Sequence, residues 1–433
     1  MGFIRTIGKW GFAGLVINSI IGSAIFGVPG ELSQLLGPAS PLILIGAGIT
    51  MAVIMACYVE VASQFVEPGG SYLYVRTAFG PLAGLQIGWF AVLAPIGAAA
   101  AQSNLFASYL AQLVPAAGTG MGRCLIIIAV VGATVIANYQ GASSGNKLSG
   151  WLAVVKLVPL LVLILIGVAQ FNSHLWTAPF SSLAAPPPLH SWAVAFVLAA
   201  FCYGGFEDPL VATAEIKDPA RTIFFGFGVS LTTCMALYAL LQAVTVTALA
   251  GQATDRPLAI TAEQLIGSRA SVFIALAAMI SVFGAISSIV LSVPRLLFSL
   301  ASHGEFPAFL GRIDPRYQTP NRAVLAVGVL ILALALTGTY MWALAVCAGA
   351  MMIVYGSVCA ALIRLRSTQP LARAIRIPAG GLLAVAGIGT SVFLLAQLDA
   401  SQISLMGLTA MLAGLNWAWS TRLARRSAPA DPT

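Results

Sequence analysis

The chain has 433 residues, of which 59% are hydrophobic and 8% are charged, and its formal net charge is +8. Soluble domains are about one quarter charged residues, so this chain has too few of them to cover a water-facing surface. Apolar runs recur along it, and each is long enough to cross roughly 30 Å of hydrocarbon. The composition therefore predicts an all-α polytopic membrane protein and excludes a soluble domain.

In chain order, the hydropathy pattern predicts twelve spans. The first run is too long for a cleavable signal peptide, and further spans follow it at once. The hydrophilic stretches between the runs are short, so the function is expected to lie among the helices. The predicted spans are 10–36, 39–65, 81–114, 122–140, 148–170, 191–216, 222–250, 270–301, 322–338, 340–363, 377–398 and 402–421.

The basic residues predict the orientation in the bilayer. With a cytoplasmic N-terminus, 17 of the 21 lysines and arginines fall inside or at inner helix ends, Arg123, Arg256 and Arg269 fall outside, and Lys156 lies within a span. Positive charge concentrates on the cytoplasmic side of membrane proteins, so both termini are predicted to be cytoplasmic, in the cell membrane. The positive charge is thus an orientation signal in the bilayer and does not indicate a nucleic-acid partner.

Two spans contain residues that form helices poorly. The first contains 19-SIIGSAIFGVPG-30 and the sixth contains 201-FCYGGFED-208. Each is the first helix of a block of five, and because five is odd the second block enters the membrane from the opposite side. Paired interruptions of this kind point to a transporter site. The predicted units are inverted repeats at 1–171 and 191–364, two further helices at 376–422, and a cytoplasmic tail at 423–433.

Hydrogen bonding explains why such breaks indicate a binding site. An unpaired backbone group in hydrocarbon costs several kcal/mol, so irregular backbone persists only where it lines a cavity or binds something. Two facing breaks expose N–H groups on one side and carbonyls on the other, which suits a zwitterion. The alternative is that the glycines only permit close helix packing.

Four motifs carry a family resemblance. They are 22-GSAIFGVPG-30, 67-EPGGSYLYVRTAFGP-81, 214-AEIKDPARTI-223 and 294-PRLLFSLASHGEFPAFLGRID-314. With these motifs in this order, the chain resembles the amino acid–polyamine–organocation transporters. The resemblance implies a LeuT-like fold of five plus five helices with helices 1 and 6 broken, and secondary transport of amino acids or polyamines by alternating access.

The resemblance also implies site residues at the two breaks. The substrate carboxylate is expected against the N–H groups of helix 1 and a serine hydroxyl, and the ammonium against carbonyls of both helices. An aromatic residue of helix 6 is expected to close over the substrate. The residues so assigned are Gly22, Ser23 and Ala24 for the carboxylate, carbonyls of Ser19, Ile20, Phe201 and Gly204 for the ammonium, and Phe201 for closure.

Lys156 lies within the fifth span, where a lysine at the bilayer centre costs about 2.5–3.5 kcal/mol on insertion scales, so a function is expected for it. In sodium-coupled members of the fold, helices 1, 5 and 8 form a cation site. The resemblance implies that the lysine stands where Na⁺ would, bonded to helix 1 carbonyls and to Ser287 or Ser288. Two roles stay open: a proton-coupling group, since burial disfavours the charged form, and a fixed cation suited to an exchanger.

Two acids, Glu207 and Asp208, follow the second break. The resemblance matches Glu207 with an acid of the family, whereas Asp208 is additional. Each acid is either a gate or proton-responsive group or a charge that stabilises the second half-helix through its dipole. A third acid, Glu60, is expected to pair with Arg76 or a neighbouring loop charge.

The substrate prediction rests on Ala24, because the family usually has glycine at this position and the alanine methyl group crowds the site. Small neutral amino acids, carried together with protons, are therefore predicted first. The alternative is an exchanger for cationic amino acids or polyamines, since Glu207 would attract a second positive charge. A monomer and a homo-oligomer both remain open.

Other classes of function lack their residues. The six cysteines have no C-x-x-C spacing and the three histidines are scattered, so neither a metal site nor a disulfide framework is expected. No Walker motif, G-x-S-x-G or H-E-x-x-H is present, and no cofactor is expected. A membrane-embedded enzyme would need a convergent nucleophile, acid and base, and Lys156, Glu207 and Asp208 are too few for that.

Overall fold

The computed structural model describes residues 7–65, 69–140, 145–170, 187–210, 216–302, 304–368 and 375–427. Within these ranges the regular structure is helical, apart from an isolated parallel bridge between Ile7 and Ile216. In chain order the helices are α1 Lys9–Ile20, α2 Ala24–Leu36, α3 Ser40–Ala62, α4 Gly70–Phe79, α5 Pro81–Leu110, α6 Gly120–Tyr139, α7 Gly145–Ala169, α8 Leu189–Phe201, α9 Pro219–Leu249, α10 Pro257–Leu265, α11 Ser268–Ser302, α12 Asn321–Thr337, α13 Tyr340–Thr368, α14 Gly380–Leu395 and α15 Ala400–Ser427.

The two predicted interruptions are visible in the backbone. The first predicted span consists of two helices, α1 and α2, separated by residues 21–23. The sixth predicted span ends its regular helix at Phe201, and residues 202–207 form turns. Residues 211–215, which the sequence placed in the same span, lie outside the described residues. The short helices α4 and α10 fall between predicted spans.

Large apolar side chains on the outside of the bundle indicate the surrounding medium. Leu42, Met121, Leu165, Val329 and Leu382 are all more than half exposed, and a water-soluble monomer rarely exposes so many. Six stretches of the described residues are helical, long and apolar enough to cross a membrane, and the bent pair Gly380–Leu395 and Ala400–Thr421 makes a seventh if it is counted as one span. The chain is thus a polytopic helical membrane protein.

Helix packing divides much of the bundle into two groups. In the first group, α1 and α3 both pack against α9, and α3 packs against α8. In the second group, α5, α6, α11 and α12 pack against one another. The helix α7 contacts both α9 and α11, so it lies between the groups. The two interrupted segments, α1–α2 and α8 with its following turn, belong to the first group.

Candidate functional site

The first break is a short irregular turn between α1 and α2. The Gly22 N–H donates to the Ile20 carbonyl at 2.7 Å, which is too tight a turn for an α-helix to continue. The new helix begins at Ala24, and no side chain caps it; the Phe26 N–H turns back to the Ser23 carbonyl at 3.0 Å. The first backbone N–H groups of a helix have no acceptor within the helix. The start of α2 therefore offers N–H groups to an anionic ligand group.

Lys156 binds the α1 side of this break. Its ammonium donates to the carbonyls of Asn18 and Ile21, both at 2.6 Å. The side chain is only 8% exposed. These carbonyls lie at the C-terminal end of α1, where the helix dipole favours a positive charge. The ammonium therefore binds main-chain oxygens at the end of the first half-helix.

The structure does not bring the predicted serines of α11 to Lys156 as hydrogen-bonding partners. The Ser287 hydroxyl accepts the Asn138 amide at 3.5 Å, and Ser288 is exposed. Within the described residues, the Lys156 ammonium donates to the carbonyls of Asn18 and Ile21. The ammonium is thus satisfied by main-chain carbonyls from one helix.

The second break follows α8 and depends on two glycines. A Cβ atom on Gly204 would lie 1.9 Å from the terminal methyl group of Met351. Gly205 has a φ of +88°, and a Cβ atom there would lie 3.1 Å from the Ser19 carbonyl oxygen. Only glycine combines this left-handed backbone with such a close approach. The glycines let the turn lie directly against the end of α1.

The Ser19 side chain joins the two breaks. Its hydroxyl donates to the Gly205 carbonyl at 2.7 Å and also lies 3.0 Å from a carboxyl oxygen of Asp208. Of the carbonyls assigned to the ammonium, that of Ile20 already accepts the Tyr238 hydroxyl at 2.9 Å. The carbonyl of Phe201 accepts the Gly204 N–H at 3.0 Å.

Accessibility separates the predicted site residues into two sets. The first set, which is buried, forms the end of α1 and the start of α2. The second set is partly exposed and lies at the two breaks. Ile20, Ser23 and Ala24 are buried, whereas Ser19, Gly22, Phe201, Gly204 and Glu207 are partly exposed.

Glu207 is oriented by a tyrosine that the sequence analysis did not single out. The Tyr355 hydroxyl donates to a Glu207 carboxyl oxygen at 2.7 Å. Tyr355 also packs against Tyr58 and Phe206, with ring centroids 5.6 and 5.1 Å apart. Tyr238 was missed in the same way. A tyrosine inside an apolar span is a usable signal, because its buried hydroxyl needs a partner.

One end of α2 is closely packed against neighbouring elements. The Tyr109 hydroxyl donates to the Phe26 carbonyl at 2.6 Å. A Cβ atom on Gly27 would lie 2.4 Å from the Tyr340 hydroxyl oxygen. A Cβ atom on Gly30 would lie 2.8 Å from a main-chain oxygen of the α9–α10 connection. The first turns of α2 are therefore tightly packed against α5, α13 and the α9–α10 connection.

At the other end of the bundle, the ion pairs differ from the predicted one. Glu60 is 1% exposed, and its two carboxyl oxygens accept Nε and Nη2 of Arg366, both at 2.6 Å. Arg76 instead binds Glu305, and both contact the Tyr72 hydroxyl. Burial and the bond to Glu305 raise the pKa of Tyr72 to about 12. Arg366 could not be predicted as the partner of Glu60 from the sequence, because 306 residues separate the two.

Comparison with known proteins gives the chain its family. The family model described as "Amino acid permease" matches residues 7–406. The large neutral amino acids transporter small subunit 2 of Oryctolagus cuniculus is 27% identical over 339 residues, which are 74% of this chain and 62% of that protein. The serine/threonine exchanger SteT of Bacillus subtilis (strain 168) is 27% identical over 327 residues, 72% of each chain.

A third relative is named for a different substrate. The methylthioribose transporter of Bacillus subtilis (strain 168) is 25% identical over 350 residues, which are 75% of this chain and 73% of that protein. The chain spans 62% of the length of the mammalian relative. Because the family match extends from α1 into α15, the chain belongs to the amino acid permease family, whose relatives named here are transporters and not enzymes.

Proposed function

We propose that the protein is a secondary active transporter of amino acids that works by alternating access. The observation that carries this proposal is the pair of facing helix breaks, which meet at the 2.7 Å contact of the Ser19 hydroxyl with the Gly205 carbonyl. Irregular backbone of this kind persists in a membrane protein where it lines a cavity or binds a ligand. A matched pair of breaks suits a molecule that carries both charges.

The two ends of an amino acid would be bound by different groups. Its carboxylate would bind the uncapped start of α2, at Gly22, Ser23 and Ala24, where N–H groups and the helix dipole favour negative charge. Its ammonium would bind the carbonyl oxygens of Ser19 and Gly204. The Ile20 carbonyl is the weaker candidate, because it already accepts the Gly22 N–H and the Tyr238 hydroxyl.

Small neutral amino acids are the favoured substrates. The Ala24 methyl group lies at the start of α2, and the Met351 methyl group fills the space that a side chain on Gly204 would need. Both limit the room for a large substrate side chain. SteT is named as a serine/threonine exchanger, and the mammalian relative is named as a transporter of large neutral amino acids. Both names therefore refer to neutral amino acids.

Lys156 is proposed to organise the site as a fixed cation. Both of its 2.6 Å hydrogen bonds reach carbonyls at the negative end of α1, and that position stabilises an ammonium. Through these bonds it would fix the residue at which α1 ends, and so the position of the Ser19 carbonyl beside the substrate. Ser287 and Ser288 remain proposed partners in another conformation of the cycle.

Alternating access would use the two packing groups. The group of α1, α3, α8 and α9 would move against the group of α5, α6, α11 and α12, with the substrate between them. In this proposal the chain has twelve spans in two inverted repeats, 1–171 and 191–364, and both termini are in the cytoplasm of a cell. The surrounding partner is the lipid bilayer.

Counterflow in proteoliposomes tests the function. Vesicles loaded with unlabelled serine should accumulate labelled serine in a saturable way, and Ser23→Ala should weaken the apparent affinity because it removes a hydroxyl donor for the carboxylate. Ser302→Ala, which changes an exposed serine at the end of α11, should leave counterflow unaltered. The proposal is refuted if none of the common amino acids shows saturable counterflow.

Substrate size has its own test at Ala24. Replacing this residue by glycine removes the methyl group, and competition by neutral amino acids larger than serine should then increase. A variant Ala24→Gly with an unchanged competition profile would contradict the proposed role of this position.

An exchanger for cationic amino acids or polyamines is the second candidate. It is favoured by the two consecutive acids, Glu207 and Asp208, next to the break. Arginine and putrescine should then compete with serine more strongly than alanine does, and Glu207→Gln should reduce that competition. Weak competition by both cations would exclude this candidate.

A further inference from the structure

We propose that Asp208 is the residue that binds the coupled proton, and this inference rests on the proposed transport function. Asp208 follows the second break, and its carboxyl oxygen lies 3.0 Å from the Ser19 hydroxyl oxygen at the end of α1. The residue as a whole is exposed in this conformation. Asp208 also couples the two halves of the site, because its partner belongs to the other broken helix.

The inference depends on how many hydrogen bonds the Ser19 hydroxyl can donate. A serine hydroxyl has one hydrogen and can donate one full hydrogen bond. The shorter contact, 2.7 Å to the Gly205 carbonyl, takes that hydrogen, because a carbonyl can only accept. The Ser19 oxygen then turns a lone pair toward the Asp208 oxygen. Two lone pairs at 3.0 Å repel unless a proton lies between them, and a protonated Asp208 supplies it.

The surrounding charges point the same way. Among the described residues, the titratable groups that interact with Asp208 are Glu207 on the same segment and Tyr355 and Cys347 on α13. None of these groups is a cation, and a zwitterionic substrate adds no net charge. An ionised Asp208 would therefore have no compensating charge among these groups when the site closes. Burying an unpaired charge is costly, and a proton on Asp208 removes it.

The two acids are held differently. Glu207 accepts the Tyr355 hydroxyl at 2.7 Å, an arrangement that suits a carboxylate. Asp208 faces an oxygen whose hydrogen is already used, an arrangement that suits a carboxylic acid. In transport, water on one side would protonate Asp208, the closed site would carry the neutral acid, and water on the other side would take the proton.

The experiment measures substrate counterflow and substrate-driven proton uptake on the same proteoliposomes, with a pH-sensitive dye inside. Wild-type protein should show both. Asp208→Asn keeps an N–H donor toward Ser19 but cannot exchange a proton, so counterflow should continue while proton uptake falls to the protein-free background. Glu263→Gln, which changes an exposed acid at the end of α10, should retain both. Asp208→Glu keeps a carboxyl group and should retain proton uptake. It serves as the second variant if Asp208→Asn is unstable.

Each other result overturns the inference in a recognisable way. Counterflow without proton uptake in the wild type would show an uncoupled transporter and leave the proposed function intact. Proton uptake that persists in Asp208→Asn would assign the proton to another group. Absence of counterflow in the wild type would refute the transport function, and the role of Asp208 with it.

Discussion

Lys156 allows the sharpest test of how the site is built. Replacing it by methionine keeps a similar length but removes the ammonium that binds the carbonyls of Asn18 and Ile21 at 2.6 Å. A buried acceptor left without a partner costs about 1–3 kcal/mol. The variant recovers the energy needed to bury the ammonium, so two orphaned carbonyls should leave a net loss of about 1–4 kcal/mol of stability.

The assay compares unfolding of purified protein in mixed micelles with increasing denaturing detergent. Lys156→Met should unfold earlier and should lose saturable counterflow, because the end of α1 would no longer be held beside the second break. The matched control is Lys217→Met, which makes the same change at an exposed lysine and should alter neither property. Lys156→Arg should also fail to restore counterflow, because a planar guanidinium does not reproduce a compact ammonium. If Lys156→Met matched the wild type in both measurements, the proposed organising role would be refuted.

Two further predictions concern contacts away from the substrate. Glu60→Gln replaces a 1% exposed carboxylate and leaves the partly exposed Arg366 guanidinium beside a neutral partner, so a loss of about 1–3 kcal/mol is expected in the same unfolding assay. A smaller loss when Arg366→Met is added would identify the ion pair as the cause, and additive losses would argue against it. Gly27→Ala would place a Cβ atom 2.4 Å from the Tyr340 hydroxyl oxygen and should cost about 1–3 kcal/mol by overpacking. Gly14→Ala is its control, since nothing lies within 4 Å of a Cβ atom there, and equal effects of the two alanines would contradict the packing argument.

Much of the helical framework followed from local composition. A span of apolar residues must satisfy its own backbone hydrogen bonds in hydrocarbon, so each predicted run with a described backbone contains helix. The run of poor helix formers around Gly22 likewise indicated where the first helix would break. The expected place of the Lys156 ammonium came from the family resemblance and not from composition; in the structure the ammonium donates to the Asn18 and Ile21 carbonyls.

Composition and hydropathy alone indicated a polytopic helical membrane protein and the places of the two breaks, because these features depend on residues close together in the chain. Which distant groups meet depends on the fold: Ser19 contacts Gly205 and Asp208, and Tyr355 contacts Glu207. Partners of buried polar groups are selected by the packing of helices that are far apart in sequence. The position of a hydroxyl within 3 Å of an acid is therefore a property of the folded bundle.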